Sequence, residues 1–95
     1  MAPYSPPNSH YAHINLPKNV DSEQIKWIIG EHGKNLYEWT QICELKYIWM
    51  DFNNKRLELW GDYGAFAEGA TSRVNSFIYN KLDEIDVNRY MRSLK

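Results

Sequence analysis

The stretch IIGEHGKNL, residues 28–36, holds the residue types and spacing best suited to chemistry. Gly30 and Gly33 stand three apart, with Glu31 and His32 between them and Lys34 just after. A helix that stops at one glycine and restarts after a second turns free N–H groups outward, where the helix dipole favours an anion. Glycine also removes Cβ atoms that would hold a sugar-phosphate backbone away. Alone, the pattern is weak, because short chains contain two glycines at this spacing by chance. The other reactive residues group less well. His10 and His13 have no third ligand near them in sequence and read as surface histidines. Cys43 falls on the apolar stripe of a helix with no base evident, so it reads as core. With no nucleophile–base set, phosphate-loop lysine motif or nucleotide fingerprint, the expectation is a protein without catalysis, metal or cofactor.

Composition narrows the classes. A chain of 95 residues allows one small domain. At 43% apolar and 15% aromatic it can bury a core, so global disorder is not expected. The net charge of −1 removes the strongly basic balance that would argue for nucleic acid on electrostatics alone. A single cysteine excludes an internal disulfide. No apolar run approaches the roughly 20 residues of a membrane helix. The opening MAPYSPPNSH lacks the basic-then-apolar order of a secretory signal, so an intracellular location and no membrane contact are expected.

The elements that position the glycines follow from periodicity. Residues 1–10 carry three of the four prolines and read as an extended arm. YAHINLP alternates as a strand, with Ala12, Ile14 and Leu16 inward, and Pro17 stops it. Asp21 with Gln24 makes a capping box for a helix carrying Ile25, Ile28 and Ile29, which Gly30 ends. A second helix after Gly33 has its stripe at Leu36, Trp39, Thr40 and Cys43. From Tyr47 the period becomes two: Ile48, Met50 and Phe52 share one face, and Tyr47, Trp49 and Asp51 the other. Asn53-Asn54 suits a left-handed turn into RLELWG, with Leu57 and Leu59 inward. A long helix is expected from about Ala65, and residues 86–95, a basic amphipathic tail, either continue it or form a short extra turn. The order is βααββα, an α+β fold in which three helices cover one face of a three-stranded sheet.

In that order the glycine pair gains meaning. HINLP, IKWIIG, EHG, KNLYEW, YIWMDF and RLELWG together resemble the type I KH domain over roughly residues 11–85. The resemblance implies a groove for about four nucleotides of single-stranded RNA or DNA, RNA before DNA. Carried over by position, Gly30 and Gly33 form the clamp, with Glu31 and His32 as its variable pair. Ile25, Lys26 and Ile29 line the first-helix side, Lys34 and Asn35 open the second helix beside the phosphates, and Lys55 and Arg56 occupy the far lip.

Two features pull against that use. The middle pair is usually basic or small in binding members of the family, whereas here Glu31 puts a carboxylate where a phosphate would sit. Residues 18–61 carry six positive and seven negative side chains, so a single copy should bind weakly. The alternative expectation is a KH scaffold turned to protein assembly, as a structural component of a large particle would be. Its surface would be the other sheet face, where Tyr47, Trp49 and Trp60 are large aromatics to leave wet. The arm or tail, a second copy, or another protein would then cover them.

Overall fold

Asp21 starts the first helix by a complete reciprocal cap. Its side chain accepts from the Gln24 N–H, and the Gln24 side chain accepts from the Asp21 N–H, each at 2.9 Å. The computed structural model describes residues 4–94; residues 1–3 of the expected arm and Lys95 of the expected tail lie outside them. In chain order the elements are β1 (His10–Asn15), α1 (Ser22–Ile29), a 3-10 turn (Glu31–Gly33), α2 (Lys34–Ile42), β2 (Tyr47–Asp51), β3 (Arg56–Gly61), α3 (Tyr63–Ala67) and α4 (Ala70–Ser93). Together they make a small α+β domain whose antiparallel sheet has the order β1-β3-β2.

Because side chains alternate along a strand, the register sorts the sheet into two faces. On the inner face Ala12, Leu59 and Ile48 form one row, and Ile14, Leu57 and Met50 the next. All of these but the half-buried Ala12 pack with Ile25, Ile28, Trp39, Cys43, Val74, Ile78 and Leu82 into one buried cluster. Leu57, Leu59, Ile28 and Val74 are wholly sequestered. Burial of a side chain of this size contributes about 1.5–3 kcal/mol.

The outer face carries three rows. Tyr11, Trp60 and Tyr47 are aligned, then His13, Glu58 and Trp49, then Asn15, Arg56 and Asp51. Trp49 therefore stands opposite Glu58 and is a diagonal neighbour of Trp60. The chain's own arm lies over part of this face: Pro6 is buried, and Tyr4 meets Tyr47 edge-on at 5.7 Å.

Three local expectations change. The long helix does not run from Ala65; Gly69 is left-handed and separates α3 from α4. The left-handed step of the β2–β3 turn falls on Lys55 rather than on the asparagines. Asp51 explains this, because its carboxylate accepts from both the N–H and the Nδ2 of Asn54 and pins that residue in a side-chain turn. Phe52 consequently lies beyond the end of β2, with 46% of its surface exposed.

The tail, through Ser93, forms the last turns of α4, held down by charge. The Arg89 guanidinium reaches both oxygens of Asp21, at 2.8 and 2.9 Å, and Glu23 at 2.8 Å. Hydrogen bonds from Arg89 hold both carboxyls below their usual range, with the Gln24 N–H adding to the effect at Asp21. A depressed carboxyl contributes its stability above the unfolded value of about 4 and loses it as pH falls through the folded value. Arg89→Gln is therefore expected to lower the urea midpoint at neutral pH and to approach wild type as pH falls below the unfolded carboxyl value of about 4. An equal deficit at both pH values would show that Arg89 acts through packing rather than charge.

Candidate functional site

The corner between α1 and α2 is built by three unusual backbone conformations in four residues. Gly30 has φ 81° and ψ 165°, a region open essentially to glycine alone. His32 (φ 58°, ψ 24°) and Gly33 (φ 77°, ψ 15°) are both left-handed. The turn is closed by Gly30 N–H to Lys26 O at 2.9 Å and Gly33 N–H to Gly30 O at 3.0 Å.

The two glycines serve different ends. A Cβ on Gly30 would lie 2.7 Å from the Asn35 Nδ2, so this site is full. A Cβ on Gly33 would meet nothing within 4 Å. Among the described residues no side chain caps the start of α2 at Gly33. The Lys34 N–H donates to the Glu31 carbonyl, and the space over Gly33 is open, bordered by Glu31, His32 and Lys34, all exposed.

Asn35 does not open toward an anion. It is buried, and its Nδ2 donates to the carbonyls of Trp27 and Ile28, each at 3.2 Å. Those carbonyls end α1 and have no partner within the helix, so Asn35 acts as a side-chain cap from the neighbouring helix. Ile25 is likewise not a groove residue: at 3% exposure it belongs to the core. Ile29 is half-buried against that core.

Lys26 and Lys34 do share a groove. An open depression of about 580 Å³ runs between α1, the corner, α2 and α4, and Gly30, Glu31 and Asn35 also line it. Its rim carries four carboxylates, Glu23, Glu31, Glu38 and Glu84, against three ammonium groups, Lys26, Lys34 and Lys81. Several of these are paired locally: Lys81 meets Glu84 at 3.3 Å, and His32 stands 3.6 Å from Glu31. Sequence reading overlooked Trp27, which walls this depression and donates its indole N–H to Glu84 at 3.3 Å. The signal was present, since Trp27 falls between the inward positions Ile25 and Ile28.

Lys55 and Arg56 are not part of that groove. The Lys55 Nζ donates to the Lys18 carbonyl at 3.0 Å. Arg56 lies on β3, facing the outer sheet surface, 3.8 Å from Asp51 and 3.7 Å from Glu58. There Glu58 is buried and accepts from the Tyr11 hydroxyl at 2.5 Å. Loss of water, then that hydrogen bond and the carboxylate's charge, push the Tyr11 phenol up to about 12.

The aromatic face is also less open than its composition implies. Trp60 is 7% exposed, set between Tyr11 at 5.3 Å and Tyr47 at 5.5 Å. Tyr47 and Trp49 are half-buried. The reason is the alignment of Trp60 with a tyrosine on each flanking strand, with the arm above.

The contrast between the glycines is measurable. Gly33→Ala should cost about 1–2 kcal/mol, the usual penalty for a left-handed alanine. Gly30→Ala should cost more, roughly 3 kcal/mol, from backbone strain plus the clash. In an Asn35→Ala background the clash is gone, so the second penalty should shrink by about 1 kcal/mol in a denaturation cycle. Strict additivity would show that Asn35 is not what crowds Gly30. No protein-family model, curated protein or solved structure compared with this chain gives a match.

Proposed function

We propose that this chain is a KH-type module that binds single-stranded nucleic acid, RNA before DNA, at the Gly30–Gly33 corner and without catalysis. The observation that carries the reading is the open, Cβ-free approach over Gly33 to the uncapped start of α2. Backbone N–H groups at such a helix start hold phosphate oxygens, and the dipole adds to the attraction. Lys34 and Lys26 supply charge beside it. The order of elements and the antiparallel β1-β3-β2 sheet support the resemblance to type I KH domains.

The same site sets a limit on affinity. Glu31 faces any bound phosphate at a cost of about 1 kcal/mol at 4 Å in water. With Lys55 and Arg56 engaged elsewhere, a ligand would neutralise few charges here. About two phosphate contacts give a salt slope near −1.4, hence a five- to tenfold loss between low and near-physiological salt.

The rival reading, a scaffold for protein assembly, loses much of its first surface because Trp60 is covered from within. A different surface favours it: the exposed apolar side chains near the end of α4.

Fluorescence anisotropy with short labelled RNA and DNA pools tests the nucleic-acid reading. Weak, salt-sensitive binding is expected, and Glu31→Lys should tighten it about tenfold by removing one charge and adding its opposite. Lys26→Glu with Lys34→Glu, both at exposed helical positions, should abolish it while leaving the circular dichroism unchanged. Absence of binding at low salt, for both wild type and Glu31→Lys, would overturn the proposal.

A further inference from the structure

The outer sheet face holds a polar cluster that the described residues leave incomplete. Asp51 and Glu58 point away from the helices, yet they are only 3% and 6% exposed. Arg56 stands between them, at 3.8 and 3.7 Å, and the Tyr11 hydroxyl donates to Glu58 Oε2. Glu58 Oε1 is buried and has no hydrogen-bond partner among the described residues, and the same holds for Arg56 Nε. Such atoms are costly to keep from water without partners. One acceptor and one donor left over side by side are what a passing peptide backbone satisfies, with its N–H and its C=O. The two carboxylates outnumber the one guanidinium, so the cluster also favours a segment without acidic side chains.

The arm ends beside this cluster. From His10 the chain runs back past Lys46, whose Nζ donates to the Asn8 carbonyl, to the buried Pro6. Tyr4 then sits edge-on against Tyr47. Tyr47 is the first outward residue of β2; Trp49, level with Glu58, is the second, and Asp51, level with Arg56, the third. At about 3.3 Å per residue these levels lie roughly 7 and 13 Å beyond Tyr47. Three extended residues span at most about 10 Å. Residues 1–3 are therefore long enough to pass the Glu58 level and approach that of Arg56.

We infer that residues 1–3 dock along the outer side of β2 and roof the Glu58–Arg56–Asp51 cluster. Reach, hydrogen-bond need and charge select the same occupant. Met1 and Ala2 bring the backbone N–H and C=O groups, and no residue of the three is acidic. Pro3 favours the extended backbone that the reach requires, and it carries no N–H of its own to leave unpaired. The outer face is then closed by the chain itself from its aromatic row to its polar one. The inference does not involve the Gly30–Gly33 corner and does not depend on nucleic-acid binding.

At 11.3 kDa the chain suits nuclear Overhauser measurements. Contacts from the Ala2 methyl group to the Trp49 ring and the Glu58 side chain are expected. In a mixture of isotope-labelled and unlabelled protein they should stay within one copy. The first element begins at His10, so deleting residues 1–3 should leave the circular dichroism unchanged. It should shift the signals of Trp49, Glu58 and the Arg56 Nε–H. Ala2→Asp adds a carboxylate to an acidic cluster, so it should lose the contacts and reproduce those shifts, whereas Ala2→Lys should keep them. Random-coil signals for residues 1–3 in the wild type overturn the inference. So do contacts made only between copies, a deletion that leaves Trp49 and Arg56 unmoved, or equal behaviour of the two Ala2 variants. No readout involves nucleic acid, so failure here is distinct from failure of the corner to bind it.

Discussion

The Asn35 amide holds the two halves of the candidate site in place. One nitrogen, buried between helices, bonds the Trp27 and Ile28 carbonyls at the end of α1. A buried amide bond contributes about 1 kcal/mol net, but an abandoned carbonyl costs up to about 3 kcal/mol. The contact also fixes geometry. The amide passes so close to Gly30 that no side chain fits there, and α2 must begin within the short turn that follows. The direction in which α2 starts is a consequence of this one capping contact.

The outer sheet face is organised by different forces. Its first row is aromatic and excludes water by ring packing around Trp60. Its lower rows are polar, with Glu58 and Asp51 both buried and Arg56 between them. Charged groups withdrawn from water in this way need partners, and the Tyr11 hydroxyl supplies one to Glu58. The face reads as a second, shallow packing layer, which the arm touches at Tyr47.

Much of this architecture was legible in the sequence, for a definite reason. Asp21 with Gln24, the alternation of Ile14, Leu57 and Leu59, and the stripe through Trp39 and Cys43 are local patterns whose period reports which side faces inward. Gly30 and Gly33 were legible as a corner because glycine is the residue that strained backbone selects. The role of Asn35 was not, since it depends on a carbonyl seven residues back approaching in space. Lys55 and Arg56 were placed at a groove by position in a pattern, while their actual partners were set by register and turn geometry. Trp60 looked exposed because alternation gives the face of a side chain and says nothing about what lies above it. Continuation of α4 to Ser93 was one of two readings that periodicity left open, and Arg89 reaching back to α1 supports it.

Left-handed backbone at His32 divides labour within the loop. Positions 30, 32 and 33 carry its shape, and each tolerates a narrow set of residues: glycine at two of them, and at His32 those few side chains that accept positive φ. Glu31 alone is under no such restriction, and its side chain is almost wholly in solvent. The charge presented to a ligand can therefore drift at one position without disturbing the frame. A lineage could pass between attraction and repulsion through residue 31 by single steps, keeping a folded corner throughout. In this chain the corner is a fixed mount, and Glu31 is its interchangeable part.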